Sequence, residues 1–220
     1  MAAGSRGRVR IGESLGSAWF LLLGILFVAR LAPLLRSALA GGGFVDWATF
    51  VSRAGTALFV IIMAWLMLAR PDSIAHRAGV IPWLTAMAGT YGAWVLGFLP
   101  KAELSAPLAL LSAVVSLIGS GLILVVVLRL GKSFSLVPQA RGLVTAGPYA
   151  LVRHPLYAAE ELALIGLAMH VVWYLSLPIV IGHVALQLQR MSYEEEVLTQ
   201  VFPEYAAYAR QTARWVPGIW

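Results

Sequence analysis

Four apolar runs in the first 130 residues constrain this chain more than anything else in it: Leu15 to Leu35, Phe50 to Ala69, Val80 to Leu99 and Pro107 to Leu128. Each is about 20 residues, the length at which a helix rising about 1.5 Å per residue crosses roughly 30 Å of hydrocarbon. The second carries one charge, Arg53, and the third and fourth carry none. One such run is compatible with a buried helix of a soluble protein. Four in succession are not, because a chain that is 60% hydrophobic and 12% charged has too little polar surface to face water; soluble domains are about 25% charged. The expected fold is therefore all-α: a polytopic transmembrane helical protein with four spans over residues 15–130, followed by a C-terminal region, 131–220, of different texture.

The formal charge of +6 would suggest a nucleic-acid partner in a soluble protein, but here its placement matters more. With the amino terminus inside, Arg6, Arg8, Arg10, Arg70, Arg77, Arg129, Lys132, Arg141, Arg153, Arg190, Arg210 and Arg214 fall on the cytoplasmic side. Arg30, Arg36, Arg53 and Lys101 fall outside or near that boundary. This is the positive-inside pattern, so the partner is expected to be membrane lipid, with no nucleic acid. Residues 1–14 read as a basic cytoplasmic tail. The first span is too long for a signal-peptide core and no small-x-small site follows it, so it is expected to stay. Cysteine is absent, which excludes disulfide and thiolate chemistry.

The texture changes after Leu130. Residues 131–155, "GKSFSLVPQARGLVTAGPYALVRHP", hold three prolines and three glycines among mixed polar and apolar residues and read as an irregular surface segment. From 156 to 190 the chain is apolar again but interrupted at "MHVVWYLSLP", which predicts a helical hairpin with arms at about 156–171 and 176–190. The polar, aromatic-rich remainder from Arg190 returns to the cytoplasmic face beside 131–155.

Chemistry concentrates in two stretches. In "AGPYALVRHPLYAAEE", residues 146–161, Gly147-Pro148 is a turn signal and Pro155 suits the first turn of a helix. Arg153 and His154 then stand at the mouth of that helix, where free N–H groups attract anions, with the Tyr157 hydroxyl nearby. Glu160 and Glu161 lie a turn farther into apolar sequence, where ionised carboxylates are costly. They either contact a ligand or form an internal ion pair, with Arg153 or Arg190 as candidate partners. In "RMSYEEE", Arg190 to Glu196, Arg190 and Glu194 are spaced to pair on one helical face, while Glu195 points elsewhere. Phe202, Tyr205 and Tyr208 give one aromatic face, read as packing. With no cysteine and no HxxxH or HExxH pattern, no metal site is expected from His170 and His183. Cations with a helix mouth on one stretch and carboxylates on the other match a zwitterionic ligand.

These two motifs, "GLVTAGPYALVRHPLY" and "EEEVLTQVFPEYAAY" with a terminal "RWVP", resemble the isoprenylcysteine carboxyl methyltransferase family, within the wider group of membrane phospholipid and isoprenoid methyltransferases. The resemblance covers roughly residues 131–217 and implies an integral membrane enzyme that uses S-adenosyl-L-methionine. It implies a cofactor cavity facing the cytoplasm of a bacterial inner membrane, formed by the counterparts of Gly147, Tyr149, Arg153, His154, Pro155, Tyr157 and Glu194. It also implies that Arg190 lies near the acceptor, that Glu194 or Glu195 holds the cofactor or orders the active site, and that a lipophilic small-molecule substrate enters between helices. Ala159 stands where glycine is common and Pro203 where "FG" is usual, which leaves the register of the glutamates open. The reaction implied is methyl transfer to a lipophilic acceptor, a carboxylate of isoprenylcysteine type ahead of a phospholipid amine. A nicotinamide-dependent sterol or isoprenoid reductase and a nonenzymatic membrane scaffold are the other readings.

Overall fold

The computed structural model describes residues 17–218; the basic tail and the first residues of the first apolar run lie outside this range. The chain divides into two units, Met1–Arg70 and Pro71–Trp220.

In the first unit, α1 (Ser17–Leu39) and α2 (Phe44–Ala69) are antiparallel partners joined by Gly41, Gly42 and Gly43. The turn depends on glycine: Gly41 has φ of +95°, and a Cβ on Gly42 would lie 2.8 Å from the Ala38 Cα. Asp46, in the first turn of α2, accepts a hydrogen bond from the Gly43 N–H at 3.0 Å and satisfies one free donor of that helix end. Ala57, Val60, Ala64 and Met67 recur at helical spacing and are buried, whereas Leu58, Ile61, Trp65 and Leu68 are exposed, as a face turned to lipid should be.

The second unit carries the site. Its elements are β1 (Ala75–His76), α3 (Val80–Tyr91), a 3₁₀ segment (Gly92–Phe98), α4 (Ala106–Leu130), β2 (Gln139–Ala140), α5 (Pro155–Ala168), α6 (Trp173–Val201) and α7 (Tyr205–Gln211). The two short strands pair antiparallel, Ala75 with Ala140 and His76 with Gln139. They tie the connection before α3 to the one after α4. At the other end of the unit, the Ala102 N–H donates to the His170 carbonyl and the Val172 N–H to that of Pro100, so the hairpin tip is fastened to the end of the 3₁₀ segment. Leu96, Leu164, Ala168 and Val171 form a buried apolar cluster there.

Among the described residues, three helices are long and apolar enough to cross a membrane, Ser17–Leu39, Thr49–Ala69 and Ala106–Ser133. The expected third span, Val80 to Leu99, is not one α-helix: it changes to 3₁₀ geometry at Gly92. Glycine is the weakest holder of α conformation apart from proline, and Gly92 stands at the change with Gly97 near the end of the 3₁₀ segment. The two parts extend about 18 Å and about 14 Å at α and 3₁₀ rises, together about the thickness of the hydrocarbon layer.

The hairpin also differs from its expected bounds. Its first arm ends at Ala168, and its second runs from Trp173 to Val201, straight through the three glutamates expected to follow a helix. Nothing in residues 190–201 breaks a helix; the stop comes at Phe202, before Pro203, which biases its predecessor away from helical geometry. Helix α4 packs along α5 and α3 along α6. The α4–α5 contact is close because its residues are small: a Cβ on Gly119 would collide with the Ala163 backbone and one on Gly166 with Ser116. The Ser112 hydroxyl donates to the Gly166 carbonyl at 2.7 Å across the same seam, as small and hydroxyl residues do between membrane helices.

This packing makes a prediction with an internal control. Gly119→Ala should lower the thermal unfolding midpoint in detergent, since overpacking costs about 1–3 kcal/mol. Gly121→Ala, on the same helix with open space around it, should leave the midpoint unchanged or raise it, because alanine favours the helix by up to about 1 kcal/mol. Equal shifts would contradict the packing.

Candidate functional site

The site begins at a forced turn. Gly147 has φ of +66°, and a Cβ there would lie 2.7 Å from Nε of Arg129, so both backbone and space require glycine. A 3₁₀ turn over Gly147–Ala150 follows, and Val152 then bridges to Ala213 in parallel. The Arg153 N–H donates to the Ala213 carbonyl and the His154 N–H to that of Arg214. The C-terminal segment thus lies against the mouth of α5, which Pro155 starts, with His154 as its N-cap residue.

From that mouth a seam of polar side chains runs into the hairpin. On α6, His183, Gln187, Arg190 and Glu194 recur at steps of four, three and four residues and share one face. On α5 they meet His154, Tyr157, Glu160 and Glu161. The Tyr157 hydroxyl donates to Glu194 Oε1 in a short hydrogen bond, and Glu194 Oε2 is 3.8 Å from His154 Nδ1. The His154 and Tyr157 rings stack, with centroids 5.7 Å apart. Arg190 is buried, its guanidinium 4.7 Å above the Tyr157 ring. It donates to Gln187 Oε1 at 2.9 Å and to the Leu136 carbonyl at 3.3 Å, with Glu160 4.0 Å away. Gln187 in turn donates to Glu160 at 2.6 Å. The Arg190 Nε has no hydrogen-bond partner.

Glu195 faces a different direction. Its Oε1 is 3.0 Å from Arg153 Nε, 3.0 Å from His154 Nε2 and 3.3 Å from Arg214 Nε. It lies beyond Arg190, outside the apolar stretch. Burial raises its pKa, but the hydrogen bond from His154 and the charges of His154, Arg214 and Arg153 outweigh that and hold the carboxyl below its ordinary range. Arg153 also donates to the Ala209 and Thr212 carbonyls, at 2.5 and 3.1 Å. Glu196 pairs with Arg77. Three adjacent glutamates on one helix thus reach three different surroundings.

The tyrosines above the site stay protonated. Burial, reinforced by Glu194, pushes Tyr149 far up; burial and Glu195 raise Tyr205 against the opposing charge of Arg153. Tyr208 is pushed up to about 12, chiefly by burial and again against Arg153. The Tyr208 hydroxyl donates to the Tyr149 carbonyl at 2.6 Å and its ring meets Tyr205 edge-on. The buried Tyr205 hydroxyl has no partner.

The structure therefore brings Tyr149, Arg153, His154, Pro155, Tyr157, Arg190, Glu194 and Glu195 into one region, with Gly147 shaping its approach. The Arg190–Glu194 pair is not made: Arg190 turns to Gln187 and Glu160, while Glu194 turns to Tyr157 and His154. Glu160 and Glu161 both face protein, Glu161 meeting His183 at 2.5 Å. Gln187 and Arg214 were missed. Gln187 is fully buried, and its step of three to Arg190 in an apolar helix was the signal available. Among the described residues, no group of three or more His, Cys, Asp or Glu side chains is gathered as a metal ion would need.

Residues 110–200 match the sequence model of the isoprenylcysteine carboxyl methyltransferase (ICMT) family, so the resemblance read from the motifs holds over that stretch. Two curated relatives also match. The cobalt-zinc-cadmium resistance protein CzcN of Cupriavidus metallidurans is 38% identical over 82 residues, 35% of this chain and 36% of that protein. The nickel-cobalt-cadmium resistance protein NccN of Alcaligenes xylosoxydans xylosoxydans is 33% identical over 78 residues, 35% of this chain and 37% of that protein. The matched stretch spans little more than a third of each relative's length.

The Glu195 cluster sets a pH dependence. A carboxyl whose folded pKa is depressed contributes stability above its unfolded value, about 4.3, and loses it as pH falls through the folded value. Acidification to about pH 3 should therefore remove part of the wild-type stability in detergent. Glu195→Gln should be less stable at neutral pH and show a flatter acid limb. Superimposable pH profiles would contradict the cluster's role.

Proposed function

We propose, taking residues 110–200 as an ICMT-family segment, that the chain is an integral membrane methyltransferase that holds S-adenosyl-L-methionine beside the α5–α6 seam and methylates a lipophilic acceptor. The observation that carries this reading is Glu194. Its Oε1 is held by Tyr157 while its Oε2 lies beyond hydrogen-bond distance of His154, so one carboxylate oxygen remains available inside a site whose side chains are mostly paired with one another. A carboxylate with spare acceptor capacity suits an ammonium group, and the donor set around it, with the unpartnered Arg190 Nε and Tyr205 hydroxyl, suits a polar, zwitterionic cofactor.

When bound, the cofactor supplies a methyl group already activated on a sulfonium sulfur, so the protein's work is to bind, orient and exclude water. Glu194 takes the ammonium, with Tyr157 fixing its carboxylate. Tyr149, Arg153, Pro155 and the Gly147 turn shape the wall around it. Glu195 has a structural part in this reading: its Oε1 meets Arg153, His154 and Arg214 together, and it holds the C-terminal segment over the site. Arg190 stands on the acceptor side, where its free Nε can orient a carboxylate. Such an acceptor is ionised near neutral pH and needs no base.

Glu160 favours a second acceptor class. It already sits beside Arg190, and a second carboxylate arriving there meets a partly neutralised guanidinium. A lipid amine meets the Glu160 carboxylate, which can accept the proton it must lose. The site faces the cytoplasm in both versions, by the distribution of arginines, in a bacterial inner membrane.

Calorimetry on the detergent-purified chain separates the readings. S-adenosylhomocysteine should bind and NADPH should not; the reverse supports a reductase, and binding of neither supports a scaffold. Glu194→Gln should weaken S-adenosylhomocysteine binding by roughly 10–100-fold, as loss of a charge-assisted hydrogen bond does. Arg190→Gln should leave that binding intact while abolishing methylation of a prenylcysteine carboxylate. Unchanged prenylcysteine kinetics in Arg190→Gln would remove the arginine from the acceptor side.

A further inference from the structure

Deeper in the hairpin lies a buried polar pair that methyl transfer, as outlined above, does not use. Glu161 on α5 and His183 on α6 are 5% and 6% exposed. Glu161 Oε1 is 2.5 Å from His183 Nδ1, and His183 Nε2 is 2.8 Å from the carbonyl oxygen of Gly89 on α3. A carbonyl oxygen only accepts, so Nε2 carries a hydrogen. One further proton is then shared between Nδ1 and Glu161, as imidazolium facing carboxylate or as neutral ring facing carboxylic acid. In either form an unbroken hydrogen-bond bridge runs from α5 through the α6 side chain to the backbone of α3. Gly89 is two residues from the end of α3, among the last four carbonyls, which a helix leaves without an intrahelical partner, so the bridge supplies such an acceptor with a donor.

The same glycine is the surface on which Arg190 rests. A Cβ at Gly89 would lie 2.8 Å from Arg190 Cδ, 2.9 Å from its NH1 and 3.4 Å from Gln187 Oε1. His183, Gln187 and Arg190 lie on consecutive turns of one face of α6, and that whole face is buried. The Gly89 carbonyl is thus fastened to His183 while its Cα backs the guanidinium two turns farther along.

We propose that Glu161 and His183 are positioning residues for Arg190: by pinning the Gly89 carbonyl to α6 they hold α3 close enough to confine the guanidinium between Gly89 and the Tyr157 ring. The bearing of this on catalysis rests on the acceptor-side reading of Arg190, whereas the confinement can be measured without any acceptor. Glu161→Leu removes the bridge. His183→Asn shortens it so that one side chain no longer reaches both Glu161 and Gly89. Glu161→Gln preserves it, because the carboxamide N–H donates to Nδ1 of a neutral ring whose Nε2–H still reaches Gly89.

The test is arginine footprinting of the full chain in detergent with p-hydroxyphenylglyoxal, read by peptide mass spectrometry. Modification of Arg190 should rise about ten-fold in Glu161→Leu and in His183→Asn, as expected when one local contact opens more readily. It should stay at the wild-type level in Glu161→Gln, with Arg153 and Arg214 unchanged throughout. The proposal is overturned if neither disruptive variant exposes Arg190, if the rise spreads equally to Arg153 and Arg214, or if Glu161→Gln behaves like Glu161→Leu. Calorimetry of the wild type with S-adenosylhomocysteine keeps the two claims apart: absence of binding there sinks the methyltransferase reading and leaves the footprint to decide the bridge.

Discussion

Placing ionisable side chains between two apolar helices is costly unless each finds a partner, and the seam between α5 and α6 meets that condition almost completely. His183 reaches Glu161 and Gly89, Gln187 joins Glu160 to Arg190, Tyr157 supports both Arg190 and Glu194, and His154 joins the two glutamates at the mouth. Much else follows from this constraint. Helix α3 must come close enough to offer a bare glycine and a carbonyl. Helix α4 must pack through small residues so that α5 can be held in place. The Leu136 carbonyl, on the segment that carries β2, takes one of the arginine's hydrogens.

The second requirement is closure at the mouth of α5. Residues 205–215 return to the start of α5 through backbone hydrogen bonds to Arg153 and His154, and Glu195 gathers the side chains of Arg153, His154 and Arg214 at the same point. The neighbouring glutamates therefore divide the work by direction alone: 100° per residue on a helix sends Glu194 into the seam, Glu195 to the C-terminal segment and Glu196 to Arg77. Electrostatic preorganisation of this kind confers rigidity on the end of the seam.

The sequence was most legible where one physical rule dominated. Apolar run length located the long helices, and the turn chemistry of Gly147, Pro148 and Pro155 located the mouth of α5. It failed where local and tertiary signals competed. Val80 to Leu99 has the length and polarity of a span, but its glycines permit a change of helix type that hydropathy does not register. The second arm was expected to stop near residue 190 because the apolar run ends there, whereas in the fold each of the glutamates beyond it has its own cation or hydroxyl and the helix continues. Arg190 and Glu194 have ideal spacing for a bridge, but Gln187, Glu160 and Tyr157 offer buried partners from nearby turns and from α5. Those cross-helix partners cannot be read from spacing along one strand of sequence, and the same is true of the Glu161–His183–Gly89 bridge.

The central claim is that the polar seam is where the cofactor docks. Ultraviolet crosslinking of methyl-tritiated S-adenosylmethionine to the purified chain, followed by peptide mapping, addresses it most directly. The account predicts label on peptides covering residues 146–161 and 190–196, lost when excess S-adenosylhomocysteine is present. Label confined to other segments, or label that the competitor fails to displace, would contradict it.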